Sequence, residues 1–230
     1  MDYYYSCISV CNTIIKMNYK IVKATIEDIP LINKLGNIIF RETYTQLLSP
    51  EQIEYMLNMM YSEESLTKQI TQEKHTYFIL YLAVNEEDTL QPVGYFSVQE
   101  EADSTFHLQK LYISNEYRGF GLGKIMMEAA KEFVITFNKP SSRLILNVNR
   151  YNTRAVEFYK HLGFEIIYTG DFEIGEGYLM TDDITKGLQR MEDDDLLPVS
   201  GGVSSYHRQS PNTGTHRTIE QTVLNDDTRA

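Results

Sequence analysis

The chain has no tryptophan and only two cysteines, Cys7 and Cys11, both near its N-terminus. Two thiols close together in sequence supply neither a metal-ligand set nor a disulfide framework, and a reducing, cytoplasmic setting suits them. Positive charge is also scarce: 21 Lys and Arg stand against 32 Asp and Glu, a net charge of −11. That balance argues against nucleic acid as the main partner and is compatible with cationic ones. No apolar run approaches the length of a membrane span. The opening MDYYYSCISVCNTIIKM lacks a basic leader and a small-residue cleavage site, so neither a membrane anchor nor a signal peptide is expected.

What the chain does hold is enough for one sizeable domain. Of 230 residues, 42% are hydrophobic, with 17 Tyr and 10 Phe to build a core. The last forty residues differ: 7 acids, 3 bases and many Ser, Thr and Gly leave too little apolar surface to offset ordering entropy, so residues 189–230 read as a disordered acidic tail. Between the ends the pattern alternates. KIVKAT is a first strand. A helix is expected from about Asp28 to Phe40, with Thr25 and Asp28 spaced as a capping box. A second begins at Ser49-Pro50, with Gln52 reaching back to the cap, and a third covers 63–73. YFILYLAV, PVGYFSVQE and FHLQKLYI are β-rich runs, the first two separated by the polar turn NEEDTL. Leu122, Met126, Ala129, Phe133 and Phe137 recur at helical spacing. LILNV is a strand, Asn152–Leu162 a helix closed by Gly163, and FEIIYTG and GYLMT a closing strand pair. Strands that precede one central helix and surround a second imply a mixed α/β sheet in one domain.

Residues 117–124 read YRGFGLGK and join a strand to a helix. Glycine lets other groups approach the backbone, and the amides of a helix's first turn, with its dipole, attract an anion. Arg118 and Lys124 add positive charge, so a phosphate or pyrophosphate suits the loop; the alternative is an ordinary glycine-rich turn. Neither nucleotide motif fits. A dinucleotide fingerprint would need glycine where Lys124 or Met126 stands, and a P-loop would need one at Arg118.

Downstream, residues 147–164 read NVNRYNTRAVEFYKHLGF. Asn152 and Tyr159 lie two helical turns apart and share a face. By themselves they are an N-cap and a core aromatic. Taken with LYISNEYRGFGLG, the pair resembles the GNAT superfamily of N-acetyltransferases. Arg118, Gly121 and Gly123 match its phosphate motif; Asn152, Ala155, Tyr159, Gly163 and Phe164 match its later signature. The resemblance covers about residues 17–184, with SPEQIEYMLNMMYS and GYLMTDDI similar to bacterial members, including polyamine acetyltransferases. It makes residues 17–188 one acetyltransferase domain and 1–16 an extension or an over-called start.

The resemblance implies a mostly antiparallel mixed sheet flanked by helices, with a central parallel strand pair, 106–113 and 143–148, splayed around acetyl-CoA. It implies that the backbone of Leu111, Tyr112 and Ile113 pairs with the pantetheine arm and that an amide near Leu111 polarises the thioester. The amides of Gly119, Phe120, Gly121, Leu122, Gly123 and Lys124 hold the pyrophosphate, Arg118 leads the motif, and Asn152 contacts the arm. Tyr159 is then the general acid that protonates the departing thiolate. The general base is open. Asn147 stands where some members have glutamate, leaving Glu100, Glu101, His107 or a water chain. Asp171, Glu173 and Glu176 in TGDFEIGEG, with Glu42 and Tyr44 opposite, suit a small cationic amine acceptor. A protein N-terminus or lysine, or a non-catalytic acyl-CoA-binding module, are the alternatives. No metal is implied, and members often form homodimers through sheet edges.

Overall fold

The computed structural model describes residues 3–10, 13–83, 89–102, 104–137 and 142–187, with backbone alone for 3–10 and 13–16. The polar tail and most of the NEEDTL turn lie outside the described residues. Two strands open the chain, β1 (Tyr3–Val10) and β2 (Thr13–Lys23), followed by α1 (Ile29–Tyr44), α2 (Pro50–Tyr61) and α3 (Glu63–Thr71). Then come β3 (His75–Ala83), β4 (Gln91–Glu100), β5 (Thr105–Ile113), α4 (Leu122–Ile135), β6 (Arg143–Asn149), α5 (Thr153–His161), β7 (Phe164–Gly175) and β8 (Tyr178–Gly187). The eight strands make one sheet in the order β1-β2-β3-β4-β5-β6-β8-β7. β5 and β6 are its parallel pair; the other neighbours run antiparallel.

Local chemistry accounts for the helix starts. Thr25 and Asp28 form the expected capping box, but it opens a short 3-10 turn, and α1 begins one residue later. Ser49 caps α2 by accepting the Gln52 amide. The Gln52 side chain does not reach back to its cap, as the sequence suggests; its Nε2 donates to the Leu179 carbonyl, 3.0 Å away, tying α2 to β8. A long-range acceptor displaces the local one. α4 ends at Ile135, so Phe137 lies beyond it, yet the ring still packs on Phe106 and Phe133.

Both faces of the central strands are buried, because helices cover each. Along β3, Phe78, Leu80 and Leu82 face a core shared with α4 and α5, while Tyr77 and Ile79 face a core shared with α1, α2 and α3. The period-two alternation of a strand thus feeds two separate apolar layers. The second is rich in tyrosine, and its buried hydroxyls find partners: Tyr95 donates to Tyr61 at 2.7 Å, and Tyr77 donates to Gln69. Gln69 in turn donates to the Met60 carbonyl at 2.9 Å.

Gly36 of α1 lies against the Tyr61 ring, and a Cβ there would overlap the ring atoms. Tyr61 is fully buried and bonded, so it cannot swing away. Gly36→Ala is expected to lower unfolding free energy by about 1–3 kcal/mol, the usual cost of overpacking. A denaturant midpoint equal to wild type would contradict this packing.

Candidate functional site

β5 and β6 pair only over Thr105–His107 and Arg143–Ile145, then separate. The cause lies in β5. Ser97 opposes Lys110 while Val98 opposes Leu108, so Gln109 is an extra residue, a bulge. A bulge bends its strand and interrupts the regular ladder. Here it also resets the alternation, so that Gln109, Lys110 and Tyr112 all line the same cleft as His107. Leu111 and Ile113 turn to the opposite core. β5 stays bonded to β4 as far as Ile113, while on its other side the described ladder to β6 stops at His107.

Beyond Ile113 a short turn leads into the glycine loop. Gly119 and Gly121 have φ of 92° and 78°, and nothing lies within 4 Å of where their Cβ atoms would be. The left-handed backbone, rather than crowding, requires glycine there. Gly121 is the N-cap of α4 and offers no side chain to the first turn, where the Lys124 amide donates to the Gly121 carbonyl at 3.1 Å and the amides before it fall among those a helix start leaves without an intrahelical acceptor. Gly123 differs: its Cβ position is 3.1 Å from the Phe158 ring, so it admits α5. Phe120 is half-buried, Leu122 is buried in the core, and Lys124 is exposed. Arg118 does not project freely from the loop. Its Nε donates to the Ile113 carbonyl at 3.0 Å and its Nη2 to Thr43 at 2.9 Å. The Asn115 amide donates to Glu42 at 3.1 Å. The last turn of α1 therefore fastens the loop to the end of β5.

Asn152 is the N-cap of α5, its Oδ1 accepting the Ala155 amide at 3.3 Å, so the capping role read from sequence is filled. Tyr159 is 9% exposed, between Phe158 and Phe164. Its hydroxyl makes no hydrogen bond among the described residues. Burial, with Tyr44 nearby, pushes the phenol well above its usual range, so it stays protonated at neutral pH. Tyr44, itself pushed up to about 12 by burial, lies 3.3 Å hydroxyl to hydroxyl from Tyr112.

The cleft below is bounded by Phe40 and Tyr44 of α1, Met56 and Met60 of α2, β5, Asn147 and Asn149 of β6, and Met180 and Asp182 of β8. Several polar atoms in it are buried outside good hydrogen-bond geometry: both side-chain atoms of Asn147 and Oδ1 of Asp182, although the Asn147 side chain lies near enough to favour the Asp182 anion. Such atoms are costly unless something else engages them. Asp182 is 3% exposed. Burial pushes its carboxyl up to about 7; the Asn147 side chain pulls down, Asp183 up and Arg150 down. Lys110, whose Nζ donates to Gln69 at 2.9 Å, is lowered by burial to about 7.

The acids singled out from sequence lie elsewhere. TGDFEIGEG is not a loop: all but its last two residues belong to β7, and only Glu176 and Gly177 turn. Phe172 and Ile174 are buried, so the exposed Asp171 and Glu173 alternate onto the other face. Asp171 pairs with Arg150 at 2.7 Å. Glu101 meets Nδ1 of His107 at 3.1 Å, and only His107 of that pair lines the cleft. Asp182 and Lys110 were missed. The one signal for Asp182 was a carboxylate pair inside an apolar strand pattern, GYLMTDDI; Lys110 gave none, since the bulge decides its face.

Arg118 makes two charge-assisted bonds, each contributing roughly 1.5–3 kcal/mol. Arg118→Met is therefore expected to speed amide exchange over residues 115–121 about tenfold or more, with α4 after Met126 unchanged. Hydrogen-exchange mass spectrometry measures this directly, and unaltered loop protection would show that the clamp does not hold the loop.

Among the described residues no group of His, Cys, Asp and Glu is arranged for a metal, and no helix is long and apolar enough to cross a membrane. Residues 44–181 match the model of the acetyltransferase (GNAT) domain. The peptidyl-lysine N-acetyltransferase YjaB of Escherichia coli is 35% identical over 97 residues, 42% of this chain and 55% of that protein. The chain thus spans about half the length of this curated relative. Among solved structures, an N-acetyltransferase from Thermoplasma acidophilum in complex with coenzyme A aligns with a TM-score of 0.57 at 22% identity, over 74% of this chain and 98% of that one. A chimera of the Vibrio cholerae spermidine N-acetyltransferase SpeG gives 0.51 at 17%, over 74% and 95%. At those identities the structures speak for the fold alone; the domain match, which takes in both the splayed strands and the glycine loop, makes the chain a member of the GNAT acetyltransferase family.

Proposed function

We propose that this protein is an N-acetyltransferase that moves acetyl from acetyl-CoA to a primary amine. The observation that carries the reading is the separation of β5 from β6 beside a helix whose first turn has no side-chain cap and is preceded by left-handed glycines. An open strand edge can pair with the amide-bearing pantetheine arm, and the uncapped amides of a helix start suit a pyrophosphate. In this reading the backbone of Leu111–Ile113 tracks the arm and Gly119–Lys124 cradle the pyrophosphate. Arg118 acts by holding that loop. Asn152 fixes the start of α5, and its amide group is left to meet the arm.

Tyr159 is assigned as the general acid. It lies on the donor side of the sheet, beside Tyr44, which reaches from the acceptor side. A phenol that remains protonated can donate to a thiolate whose parent thiol ionises near that of cysteine, about 8.5. The acceptor enters from the side of α1 and α2. A small cationic amine such as a polyamine suits a narrow cleft with one buried carboxylate. The similarity to a peptidyl-lysine acetyltransferase favours a second acceptor of the same chemistry, a lysine side chain. Residues 17–188 form the working domain, in a cytoplasmic setting. Pairing of two copies would use β7, the last strand of the sheet, which exposes Ile166, Ile167 and Tyr168.

The test is free-thiol release from acetyl-CoA with spermidine, simple diamines, lysine peptides and amino-terminal peptides as acceptors. Transfer to at least one is expected; stoichiometric CoA binding without transfer would instead make the protein a sensor or docking module. Tyr159→Phe is expected to lower kcat by about 100-fold or more, while the Kd for CoA, measured by calorimetry, stays near wild type. Unchanged turnover at saturating substrate would remove Tyr159 from the chemistry.

A further inference from the structure

We infer that the Asp182 carboxylate receives the acceptor's ammonium group in the cleft and takes its proton before attack. The inference rests on the acetyl-transfer reading above. Asp182 is 97% buried and lines the cleft, and its Oδ1 meets no protein donor in good hydrogen-bond geometry, the Asn147 side chain being the one neighbour that favours its charged form by hydrogen bonding. An anion held in that way is costly unless a cation joins it. The step balances simply. The substrate ammonium gives one proton to Asp182. The neutral nitrogen then forms a C–N bond to the thioester carbon, and the C–S bond breaks. Tyr159 protonates the departing thiolate, the second amine proton, released as the amide forms, restores the phenol, and Asp182 returns its proton to solvent. The products are an N-acetyl amine, free thiol and one proton.

The other candidates fit less well. Glu101 is engaged with His107 and does not line the cleft. Asp171 is paired with Arg150, and both Asp171 and Glu173 are exposed on the outer face. The titratable groups that line the same cleft as Asp182 are Tyr44 from α1, Tyr61 from α2, and His107, Lys110 and Tyr112 from β5, with Tyr44 near enough to feel its charge. Asp183 adjoins it on β8 and accepts from Thr169 of β7 at 2.7 Å, and Arg150 follows β6. Burial outweighs the attraction of Arg150, so the carboxyl ionises at about 7. A carboxyl raised in this way is charged only above that value. Activity should therefore rise as pH passes upward through about 7. Folding has the opposite dependence: stability falls as pH rises from the unfolded carboxyl range towards about 7, because the folded state holds the proton more tightly, so removing the buried charge should not cost stability at neutral pH.

The experiment compares pH profiles of kcat/KM for wild type, Asp182→Asn, Asp182→Glu, His107→Gln and Lys110→Met, with the amine the panel selects. Asp182→Asn is expected to lose 100-fold or more in kcat/KM at pH 7 and to lose the limb near 7. Its Tm should be equal to or above wild type, and its CoA Kd within about twofold. Asp182→Glu should recover part of the rate. Lys110→Met and His107→Gln should keep the limb. If the limb persists in Asp182→Asn, or disappears with Lys110 or His107 instead, the assignment is wrong. A large fall in Tm for Asp182→Asn would mark the residue as structural and equally overturn it. Absence of transfer by wild type to every amine would remove the acetyl-transfer reading itself, and this proposal with it.

Discussion

One extra residue in β5 governs most of what this molecule can do. Gln109 interrupts the ladder with β4, bends the strand, and ends its pairing with β6 after three residues on each side. Backbone groups inside a protein are almost always paired, so a parallel pair that opens in the middle of a sheet must meet another partner. The sheet divides two apolar cores, and the opening is a gap in that partition. The bulge also fixes which side chains look into it, because alternation restarts beyond it.

The last turn of α1 joins the two halves of the site. Glu42, Thr43 and Tyr44 are consecutive, yet each bonds a different part of the region beyond β5 or β5 itself: the Asn115 amide, the Arg118 guanidinium and the Tyr112 hydroxyl. The helix that walls the cleft is therefore the helix that steadies the glycine loop. Neither can shift far without disturbing the other. Buried groups around the cleft are set against their ordinary ionisation: Tyr44 up, Lys110 down, Asp182 up, each chiefly by loss of water. Such groupings gather where chemistry is done.

How much of this could be read from the chain depended on the range of the forces involved. The Thr25–Asp28 box, the Ser49 cap, the helix of Asn152 to Leu162 and the left-handed glycines are decided within a few residues, and their signals sit in those residues. The glycine loop and the Asn152–Tyr159 pair were legible because loop, strand and helix chemistry are local. The side chain of Gln52 was misplaced because its acceptor, Leu179, is on a strand over a hundred residues away. The acids of TGDFEIGEG were placed at the mouth of a loop because loop composition and an exposed strand edge look alike in sequence. Their alternation with Phe172 and Ile174 puts them on the outer face.

By itself the sequence determined the kind of sheet, the helix starts, the left-handed glycine loop and the helix that carries Asn152 and Tyr159, because periodicity, capping and glycine's backbone freedom act over short spans. Only the tertiary structure decided the lining of the cleft. A bulge at Gln109 chose the face of Lys110. The packing of β8 against β6 took Asp182 out of water. The clamp from α1 turned Arg118 from a free cation into a fastening. Burial and long-range partners set those outcomes, and neither is written at any one position of the chain.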